Sequence, residues 1–494
     1  MKHKTKITAL LFTAIAAISS DGFAQQVQAP KTAAGTKIVD TRIGKITLEN
    51  GTPTKESVDK LYNEMDFQRA CQAYIWGIPA VALSQFKKAS NDIKVSNGQF
   101  IIFATFESKL GIITPNYTTP YVATVADLEK SGPVVIELPK GLMAGMALDA
   151  WQRVLTDLGA IGPDKGEGGK YLFVGPGQTV PKVEGYHVIQ SPTFNIFYGV
   201  RLLDADEKKA IAELTPLIKS YPYSERNNIP KEQTEPLGEV KWSQIQPHGM
   251  EYWERLADVV QQEPVEERDR FFMAQLRFLG IEKGKPFNPT AEQKQILLEA
   301  EKVGELMVEA NSSDKRFAPS YWSGTSWKDA VVSDVNQRSE NYEQLDERSS
   351  WAYEAFTISR GMKSTTPGFG QRYMVTYTDK GGDLLDGGKN YVLHVPSNPP
   401  ATQFWSVTAY DETTRSFVVS ATKKTDLSSR RKSVVTNADG SVDVYFGPTE
   451  PKGHENNWVQ TVAGKGWFPY FRFYGPTEAV FNKSWQLKDI EKVK

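Results

Sequence analysis

The chain has 494 residues, of which 58 are Lys or Arg and 59 are Asp or Glu, so its formal net charge is −1. This balance argues against binding nucleic acid or an anionic membrane through bulk charge. The length allows two or three domains, and the single cysteine, Cys71, excludes an internal disulfide.

The N-terminus has the pattern of a secretory signal. Lysines at positions 2, 4 and 6 precede an apolar run over residues 7–18, and small residues around Ala24 resemble a cleavage site. A membrane anchor is disfavoured because spanning a bilayer takes about 20 apolar residues. We therefore expect residues 1–24 to be a signal peptide, residues 25–38 to be a flexible leader, and the mature protein to be periplasmic or secreted with no membrane span.

Residues 39–203 are predicted to form an α+β domain. An apolar face recurs at helical spacing over residues 55–76, with Thr54 as the N-cap, and Gly77 and Pro79 are predicted to end this helix. Farther on, short apolar runs alternate with turns. They predict strands near residues 100–104, 133–138, 171–174 and 194–198.

Residues 204–341 are predicted to be a mainly helical connecting region. Apolar residues recur at helical spacing over residues 250–260 and 272–279, and Gly280 is expected to end the second of these helices. A third helix begins at Thr290, which forms a capping-box pattern with Gln293.

Residues 342–494 are predicted to form an all-β antiparallel sandwich, jelly-roll-like in arrangement, because the apolar period changes to two and Gly or Pro pairs separate the segments. The predicted strands lie at residues 373–377, 390–395, 403–410, 441–446 and 471–474. Strand parity puts Trp405 and Tyr410 on opposite faces, and it puts Arg472 opposite Phe471 and Phe473.

Two sets of motifs resemble those of a bacterial family of exported two-domain proteins of unknown function. The N-terminal set, typical of domain of unknown function 1254, is YIWGIP at residues 74–79, TPNYTTPY at 114–121 and SGPVVIELP at 131–139. The C-terminal set, typical of domain 1214, is DLLDG at 383–387, NYVLH at 390–394, FWS at 404–406, DGS at 439–441 and RFYGP at 472–476. The resemblance implies an α+β module followed by a jelly-roll-like sandwich, and it implies no particular reaction.

The chain departs from the family pattern at one position. The first domain usually carries an Asp two residues after the Asn of the TPNYTTPY motif, and here that residue is Thr118. Any ligand-binding or catalytic role of that Asp is therefore in doubt in this chain.

Recognisable cofactor and nucleophile motifs are missing from the sequence. His187, His248, His394 and His454 do not pair at metal-ligand spacing, so we predict no metal site and no cofactor. There is no Gly-x-Ser-x-Gly motif, and Cys71 lies in a helix predicted to be packed, where an inert thiol is expected.

A set of polar and aromatic residues remains as the candidate site. Prolines 115 and 120 bound a segment whose restricted backbone suits a rigid, shaped loop. Tyrosine as an acid or base, with Asn and Arg stabilising an anion, supports hydrolysis or elimination. The predicted catalytic residues are Asn116, Tyr121, Tyr410 and Arg472, and the predicted substrate-binding residues are Thr118, Trp405, Asn457 and Trp458. The alternative is that all of them are fold signatures, as turn formers and a buried ion pair.

Two functional hypotheses follow. The first is an exported, cofactor-independent hydrolase or lyase that acts on a small organic or saccharide-like substrate. The second is a non-catalytic ligand-binding or structural protein of the cell envelope, with a sandwich that either self-associates as a homo-oligomer or binds a ligand. A deep pocket joining the 116–121 loop to Trp405, Tyr410 or Arg472 would favour the first hypothesis, whereas scattered and buried residues would favour the second.

Overall fold

The structure, a computed structural model, describes residues 35–231, 233–238 and 240–493. They form two compact units that divide between Glu64 and Met65. The predicted signal peptide and residues 25–34 of the predicted leader lie outside the described residues. The last residues of that leader, 36–38, belong to a strand rather than a flexible segment.

The first unit contains a small antiparallel sheet. Its strands are β1 (Thr36–Thr41), β2 (Gly44–Glu49) and β3 (Thr52–Pro53), in that order. Helix α1 (Lys55–Asp92) begins in this unit and continues into the second. The Thr54 hydroxyl accepts the Ser57 N–H at 3.3 Å, which confirms the predicted N-cap.

Helix α1 runs through Gly77 and Pro79, so the prediction that it ends there is wrong. A proline inside a helix leaves the carbonyl four residues before it, here that of Ile75, without its N–H partner. Side chains from other elements donate to the carbonyls of the two residues beside Ile75. Tyr252 Oη donates to the Tyr74 carbonyl at 2.6 Å, and Arg348 Nη2 donates to the Trp76 carbonyl at 3.0 Å. Tertiary packing thus sustains a helix that local propensity would end.

The N-terminal half of the second unit contains two sheets. The six-stranded sheet has the order β13-β4-β5-β11-β7-β8, and a four-stranded sheet has the order β10-β9-β6-β12. The strands are β4 (Phe100–Phe103), β5 (Tyr121–Asp127), β6 (Val134–Leu138), β7 (Met143–Asp149), β8 (Val154–Gly159), β9 (Gly169–Val174), β10 (Tyr186–Gln190), β11 (Asn195–Leu202), β12 (Lys219–Pro222) and β13 (Thr234–Pro236). The two sheets share an apolar core that includes Ile136, Phe173 and Tyr198. All four strands predicted in this region are confirmed.

The helices pack around a second core. The remaining helices are α2 (Phe106–Lys109), α3 (Leu128–Ser131), α4 (Glu207–Leu214), α5 (Met250–Gln262), α6 (Arg270–Leu276), α7 (Ala291–Ser313), α8 (Leu345–Glu354) and α9 (Glu478–Phe481). Helices α1, α5 and α7 meet where the rings of Tyr74 and Tyr252 stack at 4.1 Å. Gly304 of α7 allows this approach, since a Cβ there would lie 2.8 Å from the Tyr74 side chain.

The C-terminal half is a sandwich of a five-stranded sheet, β14-β15-β21-β17-β18, and a second four-stranded sheet, β20-β19-β16-β22. The strands are β14 (Lys328–Asp329), β15 (Gln371–Val375), β16 (Tyr391–Val395), β17 (Ala401–Asp411), β18 (Asp426–Ser428), β19 (Val442–Gly447), β20 (Trp458–Gln460), β21 (Trp467–Pro476) and β22 (Glu491–Lys492). Both sheets contribute to one core, with Val407 and Phe471 from one and Leu393 and Val444 from the other. The strands predicted here are confirmed.

Two details of the predicted sandwich are wrong. The region is not all-β, because α8 and α9 lie within residues 342–494. It is not wholly antiparallel, because β19 and β20 run parallel.

The predicted domain boundaries do not coincide with boundaries of the sheets. Strands β12 and β13 come from the segment predicted to be mainly helical, yet they pair with β6 and β4 of the preceding region. Strand β14 of the same segment pairs with β15 of the C-terminal sheet. Among the residues that the structure describes, no helix combines the length and the apolar character needed to cross a membrane.

Candidate functional site

A cavity in the second unit is lined by residues of both the six-stranded and the five-stranded sheet. Its volume, counted as the space that the centre of a water molecule can occupy, is about 80 Å³. On this measure one water molecule needs about 10–15 Å³, so the cavity has room for several waters or for a small organic ligand.

Small residues make room for the cavity on the six-stranded sheet. Ala123 of β5, Ala144 and Gly145 of β7, and Gly199 of β11 all line it. A Cβ at Gly145 would lie 1.9 Å from the carbonyl oxygen of Gly199, so only glycine fits there. The sheet therefore presents backbone and methyl groups to a space that larger side chains would fill.

The cavity walls are largely apolar and aromatic. Phe86 of α1, Phe103 of β4, Phe197 of β11 and Phe356 contribute rings to the lining. The Phe86 and Phe356 rings stack with centroids 5.7 Å apart, and Phe197 meets Phe356 edge to face at 5.2 Å. These contacts hold the rings in fixed positions, which suits a site for a ligand with an apolar body.

The loop that carries the predicted site residues Asn116, Thr118 and Tyr121 is held by its own side chains. Oδ1 of Asn116 accepts hydrogen bonds from the backbone N–H and the hydroxyl of Thr118, at 2.7 and 2.8 Å. The Asn116 N–H donates to the Tyr121 hydroxyl at 2.6 Å, and its Nδ2 donates to the Tyr474 hydroxyl. Asn116 and Tyr121 line the cavity, and Thr118 supports them from outside the lining.

Lys109 holds the same loop in place through two backbone carbonyls. It is almost fully buried at the end of α2, and its Nζ donates to the carbonyls of Tyr117 at 3.2 Å and Thr119 at 2.9 Å. Burial lowers the pKa of Lys109 to about 8. The loop is thus fixed by carbonyl contacts that side-chain spacing in the sequence does not reveal.

Arg472 and Tyr410 connect this loop to the five-stranded sheet. Nη2 of Arg472 donates to Tyr410 Oη at 2.7 Å and to the Thr114 carbonyl at 3.2 Å, and Nη1 donates to Thr408 Oγ1 at 3.1 Å. The Tyr410 hydroxyl in turn donates to the Pro115 carbonyl at 2.6 Å. Two predicted catalytic residues of the C-terminal region therefore contact the predicted loop of the N-terminal region.

The charges of these groups are well defined. Burial disfavours the Arg472 cation, but the neighbouring hydroxyls of Tyr410 and Tyr474 outweigh burial and raise the pKa of Arg472 overall. Burial raises the pKa of Tyr121, Tyr410 and Tyr474. At neutral pH the arginine is a cation and the tyrosines are protonated, so the tyrosines can donate hydrogen bonds but are poor bases.

Arg201 of β11 is a second cation in the lining. It pairs directly with Tyr121 across β11 and β5, and such cross-strand neighbours have Cβ atoms roughly 4.5–5.5 Å apart. Its Nη2 donates to Gln371 Oε1 at 2.7 Å, and the Tyr373 hydroxyl is a further hydrogen-bond partner of its side chain. The Tyr121 hydroxyl accepts one hydrogen bond but donates none within the described structure.

Positive charge predominates in the described lining of the cavity. Among the described residues that line it, none is Asp or Glu. The buried Glu354 lies behind Tyr470, accepts a hydrogen bond from the hydroxyl of that residue, and is paired with Lys315 Nζ at 2.5 Å. The lining thus combines two guanidinium groups with apolar walls, which is an electrostatic environment for an anion.

The other predicted substrate-binding residues lie outside this cavity. Trp405 faces the core of the C-terminal sandwich, where its ring stacks on Phe471 at 5.3 Å. Tyr410 and Arg472 lie on the opposite face of their strands, as strand parity predicts.

Asn457 and Trp458 hold the second four-stranded sheet together. Asn457 bonds with both the N–H and the carbonyl of Val435, at 2.9 and 2.7 Å. Trp458 is buried in β20, and its Nε1 donates to the Gly447 carbonyl at 3.0 Å. Both residues satisfy backbone groups, which explains why they are polar or aromatic without lining the cavity.

Arg201 was missed from the sequence, although one signal for it exists. Residues 197, 199 and 201 share a face of β11 by strand parity, and a charged residue at the end of an otherwise apolar strand calls for a partner or a ligand. The partners, Tyr121 and Gln371, lie 80 and 170 positions away in the chain, so the sequence alone could not bring them together.

The two motif sets match known family models. Residues 98–222 match the model of a protein of unknown function, DUF1254, and residues 370–478 match that of a protein of unknown function, DUF1214. The chain carries both domains. The two-domain family of unknown function predicted from the motifs is confirmed. No curated protein matches the sequence.

Solved structures resemble this chain at low sequence identity. The VPA0106 protein from Vibrio parahaemolyticus has a TM-score of 0.55 at 18% identity over 87% of this chain and 100% of its own. A putative uncharacterized protein from Burkholderia cenocepacia has a TM-score of 0.41 at 13% identity, covering 89% of this chain and 91% of its own. The first of these shows a shared fold.

The cavity draws on both domains. The lining residues Asn116, Tyr121 and Arg201 belong to the DUF1254 match, and the lining residue Arg472, with its hydrogen-bond partner Tyr410, belongs to the DUF1214 match. The DUF1254 domain supplies the small residues of the lining and the side chains of Tyr121 and Arg201. The DUF1214 domain supplies the buried arginine that positions the loop.

Proposed function

We propose that this protein binds a small organic anion, with a carboxylate attached to an apolar body, in the cavity shared by its two domains. The observation that carries the proposal is the cross-strand pair of Tyr121 and Arg201, which both line the cavity, and of which the Tyr121 hydroxyl donates no hydrogen bond within the described structure. An arginine fork and a hydroxyl together match the two oxygens of a carboxylate.

The walls and the charges support the same ligand class. Apolar rings would bury the body of the ligand, and a few polar groups would orient it, as in most small-molecule sites. A cationic ligand is disfavoured because Arg201 and Arg472 are both charged and the described lining has no carboxylate. A sugar acid shares the carboxylate and falls within the class.

A binding experiment tests the proposal. Purified protein would be titrated calorimetrically with benzoate and phenylacetate, and with the corresponding amides, which keep the shape but lose the charge. We expect the acids to bind and the amides to bind at least tenfold more weakly. Arg201→Met is expected to abolish this preference, and Tyr121→Phe to weaken acid binding by roughly tenfold, as for one lost hydrogen bond to a charge.

The control is Arg270→Met, which removes an arginine whose side chain is 71% exposed and outside the cavity. It should leave the affinities unchanged. Equal affinity for acids and amides, or equal binding by the Arg201→Met variant, would contradict the anion site.

A second candidate function is that of a cofactor-independent hydrolase or lyase on a small organic or saccharide-like substrate. The observation that favours it is that Asn116, Tyr121 and Arg472 line one cavity, while Tyr410 accepts a hydrogen bond from Arg472. In such an enzyme Tyr121 would protonate a leaving group and the guanidinium groups would stabilise the developing anion.

Turnover separates the two candidates. A panel of esters, glycosides and uronides would be incubated with the wild-type protein and with Tyr121→Phe. Turnover that falls at least a hundredfold in the variant would support catalysis, since a positioned proton donor contributes about that much or more. Binding of acids without turnover would leave the binding function.

We also propose export, self-association and a jelly-roll-like C-terminal sandwich. The N-terminal pattern of residues 1–24 supports secretion to the periplasm or beyond, which fractionation of cells would test. The insertion of β21 between β15 and β17 supports the jelly-roll-like order. Light scattering on the purified protein would test whether it forms a homo-oligomer.

A further inference from the structure

Three side chains of the helical layer converge in the way that metal ligands do. His248 precedes α5, and Glu301 and Glu305 lie one turn apart on α7, on the same helix face. One ligand atom from each lies within 4.8 Å of the others. Nδ1 of His248 is 3.4 Å from Glu301 Oε1 and 3.1 Å from Glu305 Oε2.

Of these three residues, Glu301 gives the strongest reason to expect a bound cation. Its side chain is 4% exposed, and its Oε1 receives no hydrogen bond in the described structure. The nearby Tyr252 hydroxyl donates to the Tyr74 carbonyl instead. A buried carboxylate without a donor is costly, and the unsatisfied oxygen is the atom that faces His248.

We propose that His248, Glu301 and Glu305 bind a divalent transition-metal ion, with Zn²⁺ the best match. An imidazole with carboxylates suits zinc better than Mg²⁺ or Ca²⁺, which prefer all-oxygen shells. Ligands at roughly 2.0–2.2 Å from a tetrahedral ion lie about 3.4 Å from each other, close to the two distances seen here. Three protein ligands leave a fourth position for water.

This site is independent of the proposed anion cavity, since none of its three residues lines that cavity. The ion would supply the positive charge that the buried Glu301 lacks, and it would join the segment before α5 to α7. No pattern in the sequence indicates this site, because His248 and Glu305 are 57 positions apart and the two glutamates alone are an ordinary helical pattern.

Calorimetry with Zn²⁺ on full-length protein, first stripped with a chelator and then dialysed, tests the proposal. We expect one Zn²⁺ per chain, confirmed by elemental analysis of the protein, and at least a tenfold loss of affinity in each of His248→Asn and Glu305→Gln. The matched control is Glu299→Gln, which removes an exposed carboxylate from the same helix and should bind as the wild type does.

Because Glu301 is buried, its substitution is tested by the melting temperature as well as by zinc affinity. Glu301→Gln is expected to lose zinc binding and, when metal-free, to melt at the same temperature as the metal-free wild type or higher, because it no longer buries an uncompensated charge. Absence of zinc binding by the wild type, unchanged affinity in His248→Asn and Glu305→Gln, or displacement of Zn²⁺ by equimolar Ca²⁺ would overturn the proposal.

Discussion

At the scale of single residues, the polar groups of the cavity are placed by hydrogen bonds that each use a specific atom. Asn116 uses its N–H, its Oδ1 and its Nδ2 on three different partners, Tyr121, Thr118 and Tyr474. An aspartate in place of Thr118, as in the family pattern, would offer an acceptor to Oδ1 where the threonine offers a donor. The loop of this chain is therefore adapted to its threonine.

The Thr118 hydroxyl provides a test of this arrangement. Thr118→Val keeps the shape and the backbone N–H bond but removes the hydroxyl donor to Asn116, so we expect it to lower the free energy of unfolding by about 1 kcal/mol. Urea denaturation would measure the change. Thr118→Ser retains the hydroxyl and should lie closer to the wild type, and a loss in Thr118→Ser as large as in Thr118→Val would contradict the assigned role of the hydroxyl.

At the scale of elements, local sequence signals determine some helix ends, and tertiary contacts determine others. Helix α7 begins at the predicted capping box, in which Thr290 Oγ1 accepts the Gln293 N–H at 3.1 Å and Gln293 Oε1 accepts the Thr290 N–H at 2.9 Å. Helix α6 and the turn after it end at Gly280, whose φ of 83° is left-handed. Helix α1 behaves differently, since partners distant in the chain carry it past Pro79.

Removing the cap of α7 should therefore have a local and moderate effect. Thr290→Ala deletes the acceptor for the Gln293 N–H, and we expect a loss of about 1 kcal/mol in the free energy of unfolding. Guanidinium denaturation monitored by circular dichroism would measure it. Thr290→Ser preserves the cap and serves as the control, and a loss below that of the serine variant would show that the cap is dispensable.

At the scale of the whole molecule, a few buried charges connect the layers. Asp127, at the end of β5, has a side chain that is 1% exposed. Its Oδ2 accepts hydrogen bonds from Lys87 of α1 and Gln262 of α5, both at 2.8 Å. Its Oδ1 accepts the N–H groups that begin α3, at 3.1 and 3.3 Å. One carboxylate thus holds a sheet and three helices.

We expect the stability of the protein to depend on pH through the carboxylate of Asp127. Burial opposes its charge, but Lys87 and the other donors outweigh burial and hold the pKa of Asp127 below its usual value. An Asp in the unfolded chain has a pKa of about 3.9. The stabilisation by Asp127 is therefore complete above that pH, and it is lost as the pH falls through the lower pKa that Asp127 has in the folded protein.

Asp127→Asn should accordingly lower the free energy of unfolding by about 2 kcal/mol at neutral pH, and the gap to the wild type should shrink in strong acid. Urea denaturation at pH 7 and pH 3 would show it. Asp92→Asn, which removes an exposed partner of Lys88, should change little at either pH. A gap that is the same at both pH values would contradict the assigned role of the charge.

The sequence by itself determined the family and part of the secondary structure. Apolar period, capping residues and turn pairs predicted several strands of each half and the starts of α1 and α7, because these signals act between residues a few positions apart. The motifs around Asn116 and Arg472 predicted residues that meet at one cavity, and strand parity predicted which face of β17 and β21 would carry Tyr410 and Arg472.

The tertiary structure alone decided which strands join which sheet, where α1 ends and which side chains line the cavity. Strands β12 and β13 lie in the segment that the sequence predicts to be mainly helical. They pair with β6 and β4 because these strands offer free edges, and no local sequence pattern shows where such an edge is. The same reason hid Arg201, the unsatisfied oxygen of Glu301 and the role of Trp458. Each depends on groups brought together from distant parts of the chain, and a spacing rule cannot express that contact.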